Sequence, residues 1–175
     1  MYMNPDNLQR YTVGVLVDNE PGVLSRVSGL FSRRGFNIES LAVGPTQDRE
    51  VSRITIVVLG DDAHIEQLVQ QLYKLICVQK VQVMQQRSAV ERQLLLVKVS
   101  AGPQERESLM RLVDIFKAKV LDVTRRAMIL QITGDNEKVS SLLNLLSDYG
   151  ILELVRTGVV ALERGEGVMN SDIFD

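Results

Sequence analysis

The stretch Asp18-Asn19-Glu20-Pro21-Gly22-Val23-Leu24 carries the residue types needed to hold a small α-amino acid. A helix that starts just after such a turn offers unpaired N–H groups and positive potential to a carboxylate, and Gly22 lets that carboxylate come close to the backbone. A side-chain amide oxygen from Asn19 or Asn37 can accept from the ligand ammonium. Val23, Leu24 and Ile38 can enclose an apolar side chain. The same residues allow a plainer reading, in which Asn19 caps the helix and Gly22 only shapes the turn.

Other reactive types are sparse. The chain has one histidine, His64, and one cysteine, Cys77, so neither an internal disulfide nor a Cys/His zinc cage can be assembled. His64 follows Asp61-Asp62 on a helix, where it reads as a solvated first-turn residue, and Cys77 precedes an apolar strand as a small buried hydrophobe. Carboxylates are plentiful, but no pair stands at a spacing that marks acid–base work. These residues give no catalytic centre and no metal site. A reducing, cytoplasmic setting suits the single thiol.

The elements that must position the loop are legible in periodicity. Val13, Val15 and Val17 alternate through residues 11–18 as in a strand, and Val23, Val27, Leu30 and Phe31 then recur on one helical face. Gly35 ends that helix after Arg33 and Arg34. Strands are expected over 36–45 and 51–60, joined by the polar stretch 45–50. Next comes a helix capped by Asp61 or Asp62 and bearing Ile65, Leu68, Val69 and Leu72, then a strand over 80–85. After the short polar segment 86–89 the same order returns. An apolar run at 94–99 leads to a helix opened by Ala101-Gly102-Pro103 and bearing Leu109, Leu112, Val113 and Phe116. Strands at 119–124 and 128–134 follow, then a helix capped by Asp135 or Asn136 and closed by Gly150, and one long final strand at 151–162.

Each half thus reads strand, helix, strand, strand, helix, strand. This is an α+β arrangement of two ferredoxin-like βαββαβ domains, with two helices over one face of an antiparallel sheet. The expected divisions are 1–86, 87–163 and a flexible tail at 164–175. One face of each sheet would lack a helical cover, which points to association.

Composition narrows the classes. Twenty Lys and Arg against 22 Asp and Glu leave a net charge of −2, which removes the driving force for non-specific nucleic-acid binding. RNA-recognition modules share the element order but need stacking aromatics on central strands, and Phe31 and Phe116 lie on helix faces instead. No uninterrupted run of about 18 apolar residues suggests a membrane span. Acylphosphatases also use this order, so a small hydrolase is a rival that turnover of an acyl phosphate would reveal.

Two longer strings carry a resemblance: Asn19-Glu20-Pro21-Gly22-Val23-Leu24-Ser25-Arg26, then Gly29-Leu30-Phe31-Ser32-Arg33-Arg34-Gly35-Phe36-Asn37-Ile38-Glu39-Ser40-Leu41. They resemble the regulatory small subunits of acetohydroxyacid synthase, also called acetolactate synthase. Fainter matches run to Gly158-Val159-Val160-Ala161-Leu162, while Gln93 stands where an acidic residue is expected. The resemblance implies that the first domain is an ACT domain, which pairs side by side with a second copy and binds its effector, valine, at that interface. It places Asn19, Gly22 and Asn37 in the site, with Pro21, Val23, Leu24 and Ile38 as neighbours. It further implies a non-catalytic subunit that activates a separate large subunit and confers feedback inhibition by valine in branched-chain amino-acid biosynthesis. Thiamine diphosphate and Mg are then expected on that catalytic partner, with no cofactor on this chain. A free-standing ACT sensor acting on another enzyme or regulator is the alternative.

Overall fold

The computed structural model describes residues 9–84 and 88–169. They form two compact units. The first gathers the described residues up to Val90 together with those from Val159 onward, and the second is Glu91–Gly158.

In the first unit the order is β1 (Gln9–Asp18), α1 (Val23–Arg34), β2 (Ile38–Pro45), β3 (Val51–Gly60), α2 (Asp62–Leu72) and β4 (Val78–Met84). The sheet runs β2-β3-β1-β4, with every neighbouring pair antiparallel. Val13, Val15 and Val17 of β1 lie opposite Ile56, Ile54 and Ser52 of β3. The valines and isoleucines of this face pack with Val23, Val27, Leu30 and Phe31 of α1 and Ile65, Leu68 and Leu72 of α2 into one core. Gly35 ends α1 in the left-handed region at φ 73°. Its N–H bonds Ser32 O, and that of Phe36 bonds Phe31 O, so two orphan carbonyls are satisfied while the Phe31 and Phe36 rings meet edge-on at 6.0 Å.

The second unit takes up the order with β5 (Ala89–Ser100), α3 (Arg106–Phe116), β6 (Lys119–Val123), β7 (Ala127–Gly134), α4 (Asn136–Leu146), a short 3-10 turn (Ser147–Tyr149) and β8 (Ile151–Arg156). Its sheet runs β6-β7-β5-β8. Leu95, Val97 and Val99 meet Leu109, Val113, Leu142 and Leu146 in a second core.

Three expectations are corrected. The single strand expected at 151–162 is two, β8 and β9 (Val160–Glu163). Thr157 closes the pairing with β5, its N–H donating to Leu94 O and its hydroxyl accepting from Leu94 N–H, after which the chain returns to the first unit. Pro103 does not lie in a helical first turn. Glu105 folds back, its carboxylate accepting from Gly102 N–H and its own N–H donating to Gly102 O, and α3 starts only at Arg106. The second face of the first sheet, expected to be open, is buried at Thr12, Leu16, Thr55 and Val57.

The returning segment covers that face. Val159 N–H donates to Ser40 Oγ on β2, Arg53 Nη2 on β3 donates to Ala161 O, and Gln82 on β4 bonds the Glu163 carboxylate. Gly14 on β1 makes room for it. A Cβ there would stand 2.9 Å from Met84 Cε and 3.1 Å from Met169 Sδ. Burial pushes the Arg53 guanidinium below its usual pKa. The compact units therefore differ from the expected divisions at 86/87 and 163/164. Residues 85–87 and 170–175 lie outside the described residues, and within the expected tail Arg164 N–H donates to Ser88 O. Among the described residues no helix is long and apolar enough to cross a membrane.

Of the alternatives for capping α2 and α4, Asp61 and Asp135 are the residues used, accepting from the N–H of His64 and Lys138. The bond to the His64 backbone, followed by that to its ring, holds the Asp61 carboxyl below its usual pKa. Its contribution to stability is therefore present above the unfolded value of about 3.9 and lost as pH falls through the lower folded value. Asp61→Ala should melt below wild type at pH 7, and thermal melts repeated at falling pH should show the difference shrinking below about pH 4.

Candidate functional site

Asn19 holds the β1–α1 loop to the β2–β3 hairpin through three hydrogen bonds. Its backbone N–H donates to Glu50 O at 2.7 Å, its Nδ2 donates to Arg49 O at 2.9 Å, and its Oδ1 accepts from Ser52 Oγ at 3.0 Å. It does not cap α1. That position belongs to Gly22, in the left-handed region at φ 85°, and no side chain caps the helix. The amide oxygen expected to meet an ammonium group thus already has one partner, and one of its lone pairs remains for another donor.

The rest of the loop end is open. Glu20, Pro21 and Gly22 are exposed, nothing lies within 4 Å of where a Gly22 Cβ would be, and no acidic residue stands in the first turn of α1. Helices α2 and α4 start beneath carboxylate caps, whereas at the start of α1 Val23 N–H donates to Glu20 O at 3.4 Å and no side chain caps the helix. Leu24 is 44% exposed and stands beside this opening in sequence. Val23 is 3% exposed and belongs to the core, so it supports the loop from below.

Asn37 and Ile38 lie elsewhere. They follow the C-terminal end of α1, whose 12 residues span about 18 Å. The sheet gives the same separation. Ile38 pairs with Val58, whereas the loop is tied to Ser52, six residues away along β3 and hence about 20 Å. Asn37 is exposed and Ile38 packs against the core. One chain therefore presents the expected site as two halves at opposite ends of one helix.

Sequence reasoning missed Arg49, Glu50 and Ser52, which anchor the loop. Two of them act through backbone carbonyls, which leave no trace in residue type. Val43 was missed as well: it lies opposite Ile54 on β2, on the helix-bearing face near the loop end, and is 48% exposed.

The reactive groups elsewhere are engaged. His64 Nδ1 lies 2.7 Å from Asp61 Oδ1, and Cys77 is buried. Tyr11 Oη donates to Asp62 Oδ1, a bond that pushes its pKa up to about 12. Among the described residues no group of three or more His, Cys, Asp or Glu could hold a metal ion. In the second unit the loop after β5 is filled by its own side chains. Glu105 takes the Gly102 N–H at 2.5 Å, and Arg106 donates to Ala101 O and Thr124 O.

Residues 13–80 match the model of the AHAS small subunit-like ACT domain, and residues 92–165 match that of the small subunit of acetolactate synthase. A protein of Archaeoglobus fulgidus described as a probable acetolactate synthase small subunit is 52% identical over 89% of this chain and 98% of its own length. The acetolactate synthase small subunit of Mycolicibacterium smegmatis is 47% identical over 89% of this chain and 91% of its own. Among solved structures, the acetolactate synthase small subunit of Thermotoga maritima superposes with a TM-score of 0.84 at 41% identity, over 91% of this chain and 99% of that one.

The geometry at Gly22 carries its own test. Space is free around the missing Cβ, so the penalty for Gly22→Ala comes from the left-handed backbone alone, about 1–2 kcal/mol. Chemical denaturation should show a loss of that size with an unchanged m-value.

Proposed function

Because the chain belongs to the family of acetolactate synthase small subunits, we propose that it activates a thiamine-diphosphate- and Mg-dependent large subunit and makes that enzyme sensitive to valine. It carries no cofactor of its own and works in the cytoplasm beside the catalytic subunit. The observation that carries this reading is the start of α1 at Gly22, which no side chain caps and whose loop Asn19 ties to the β2–β3 hairpin, with half-exposed Leu24 next to it in sequence and half-exposed Val43 on β2.

A second copy supplies the missing half. The edges of the first sheet are β2 and β4, and the Tyr73 hydroxyl occupies both Val81 N–H and Val81 O on β4, at 3.1 and 3.3 Å. That leaves β2 as the edge suited to extension. Two β2 strands paired antiparallel across a two-fold axis run the Ile38 end of one beside the Pro45 end of the other. The partner's Asn37 and the partner's Ile38 then approach Asn19, Pro21, Gly22 and Leu24. Two copies make two pockets. In each, the valine carboxylate meets the start of α1, its ammonium meets an amide oxygen of Asn19 or of the partner's Asn37, and its isopropyl group meets Leu24, Val43 and the partner's Ile38.

Burial of an isopropyl group contributes roughly 1.5–3 kcal/mol, and one methylene changes discrimination by only about 1–3 kcal/mol, so leucine and isoleucine bind as well. Valine changes activity only by its difference in affinity between two states of the dimer, one coupled to the large subunit and one uncoupled.

Gly22→Asp puts a carboxylate where the ligand's own must lie. In enzyme reconstituted with the large subunit, it should keep activation while the valine concentration for half-inhibition rises at least about tenfold, a loss of about 1.4 kcal/mol. Full valine sensitivity in Gly22→Asp would contradict the site.

A further inference from the structure

We propose that the turn between α2 and β4 is a docking point for the catalytic large subunit, with Ile76 entering an apolar pocket of that subunit. The proposal rests on the regulatory reading above. Ile76 is 99% exposed. A single exposed apolar side chain is common on any protein surface and means little alone. Here its neighbours on both sides point inward, since Leu75 packs against the core and Cys77 is buried within it. Residue 76 is thereby forced outward.

The turn is also pinned. Leu75 N–H donates to Leu72 O at 3.0 Å, Val78 N–H donates to Leu75 O at 2.9 Å, and the Tyr73 hydroxyl grips Val81. An isoleucine held this way loses little freedom when a pocket closes over it, the property that lets one residue dominate an interface. Tyr73 and Lys74, three and two residues before it, are also exposed, and tyrosine is among the residues enriched in such anchors.

The turn is bonded to the effector loop, which favours the catalytic subunit as its occupant. Asp18, the last residue of β1 before the loop, donates its N–H to Cys77 O at 3.0 Å and accepts from Gln79 Nε2 at 2.8 Å. Gln79 keeps this bond although its Oε1 is buried without a partner. Whatever shifts Asp18 also shifts the backbone that presents Ile76. A subunit docked on Ile76 therefore senses the loop through one residue and two hydrogen bonds.

The test compares Ile76→Ser and Ile76→Met with wild type in titrations of the purified cognate large subunit, alongside the valine-induced melting shift and homodimer mass of each small subunit alone. Ile76→Ser should need at least about tenfold more small subunit for half-maximal activation. Ile76→Met should titrate near wild type, and both should keep the valine shift and the dimer. Titration of Ile76→Ser at the wild-type concentration would overturn the proposal. Loss of dimer mass in Ile76→Ser would overturn it too, by assigning the turn to a second copy. If wild type itself neither activates the large subunit nor shifts with valine, the regulatory reading falls first and this proposal with it.

Discussion

The rigid length of α1 is the constraint on which the functional arrangement depends. An α-helix does not shorten, so 12 residues hold the Gly22 end and the Asn37 end about 18 Å apart in every copy of the chain. A free amino acid spans far less than that. In the proposed site, the residues at the two ends would meet one ligand only if another chain were turned end for end, a reversal that an antiparallel edge strand would perform. The Tyr73 hydroxyl engages Val81 on β4, which favours β2 as the strand for that proposed pairing.

The returning C-terminal segment gives the same sheet its other boundary. It reaches Ser40 on β2, Arg53 on β3 and Gln82 on β4, so it spans the sheet from one edge strand to the other. Arg53 lies next to Ser52, the residue whose hydroxyl bonds Asn19. The loop that would hold the effector is therefore supported on one side by the hairpin and on the other by strands clamped beneath this segment. A site built on strands and tied by side chains is better preorganised than one built on a free loop.

Much of this was legible in residue order. Alternation of Val13, Val15 and Val17, the helical spacing of Val23, Val27, Leu30 and Phe31, and Gly35 at the end of α1 are local signals, and the fold honours them. The 18 Å separation was present too, since it needs only a count of residues. Partnerships across the chain were not legible. At the end of β8 the Thr157 hydroxyl takes the Leu94 N–H, 63 residues away, and Asn19 binds carbonyls about 30 residues away. Val23 looked like a pocket wall and is core, because the helical stripe that identifies it says nothing of where the opening lies. Gln93 is instructive. It accepts from Arg156 Nε at 2.5 Å as a carboxylate would, but its Nε2 is buried without a partner, so the amide does half of what an acidic residue could.

The pocket shared between two chains is tested most directly by mixing two defective chains. Gly22→Asp damages the loop half and Asn37→Ala the far half, so neither homodimer holds an intact pocket. After co-refolding, a heterodimer pairs the unaltered loop of one chain with the unaltered Asn37 of the other and regains one pocket of two. Calorimetric titration with valine should then find tighter binding in the mixture than in either variant alone. If the mixture binds no better than its parents, the pocket does not form across two chains, and the account of how this sheet builds its site is wrong.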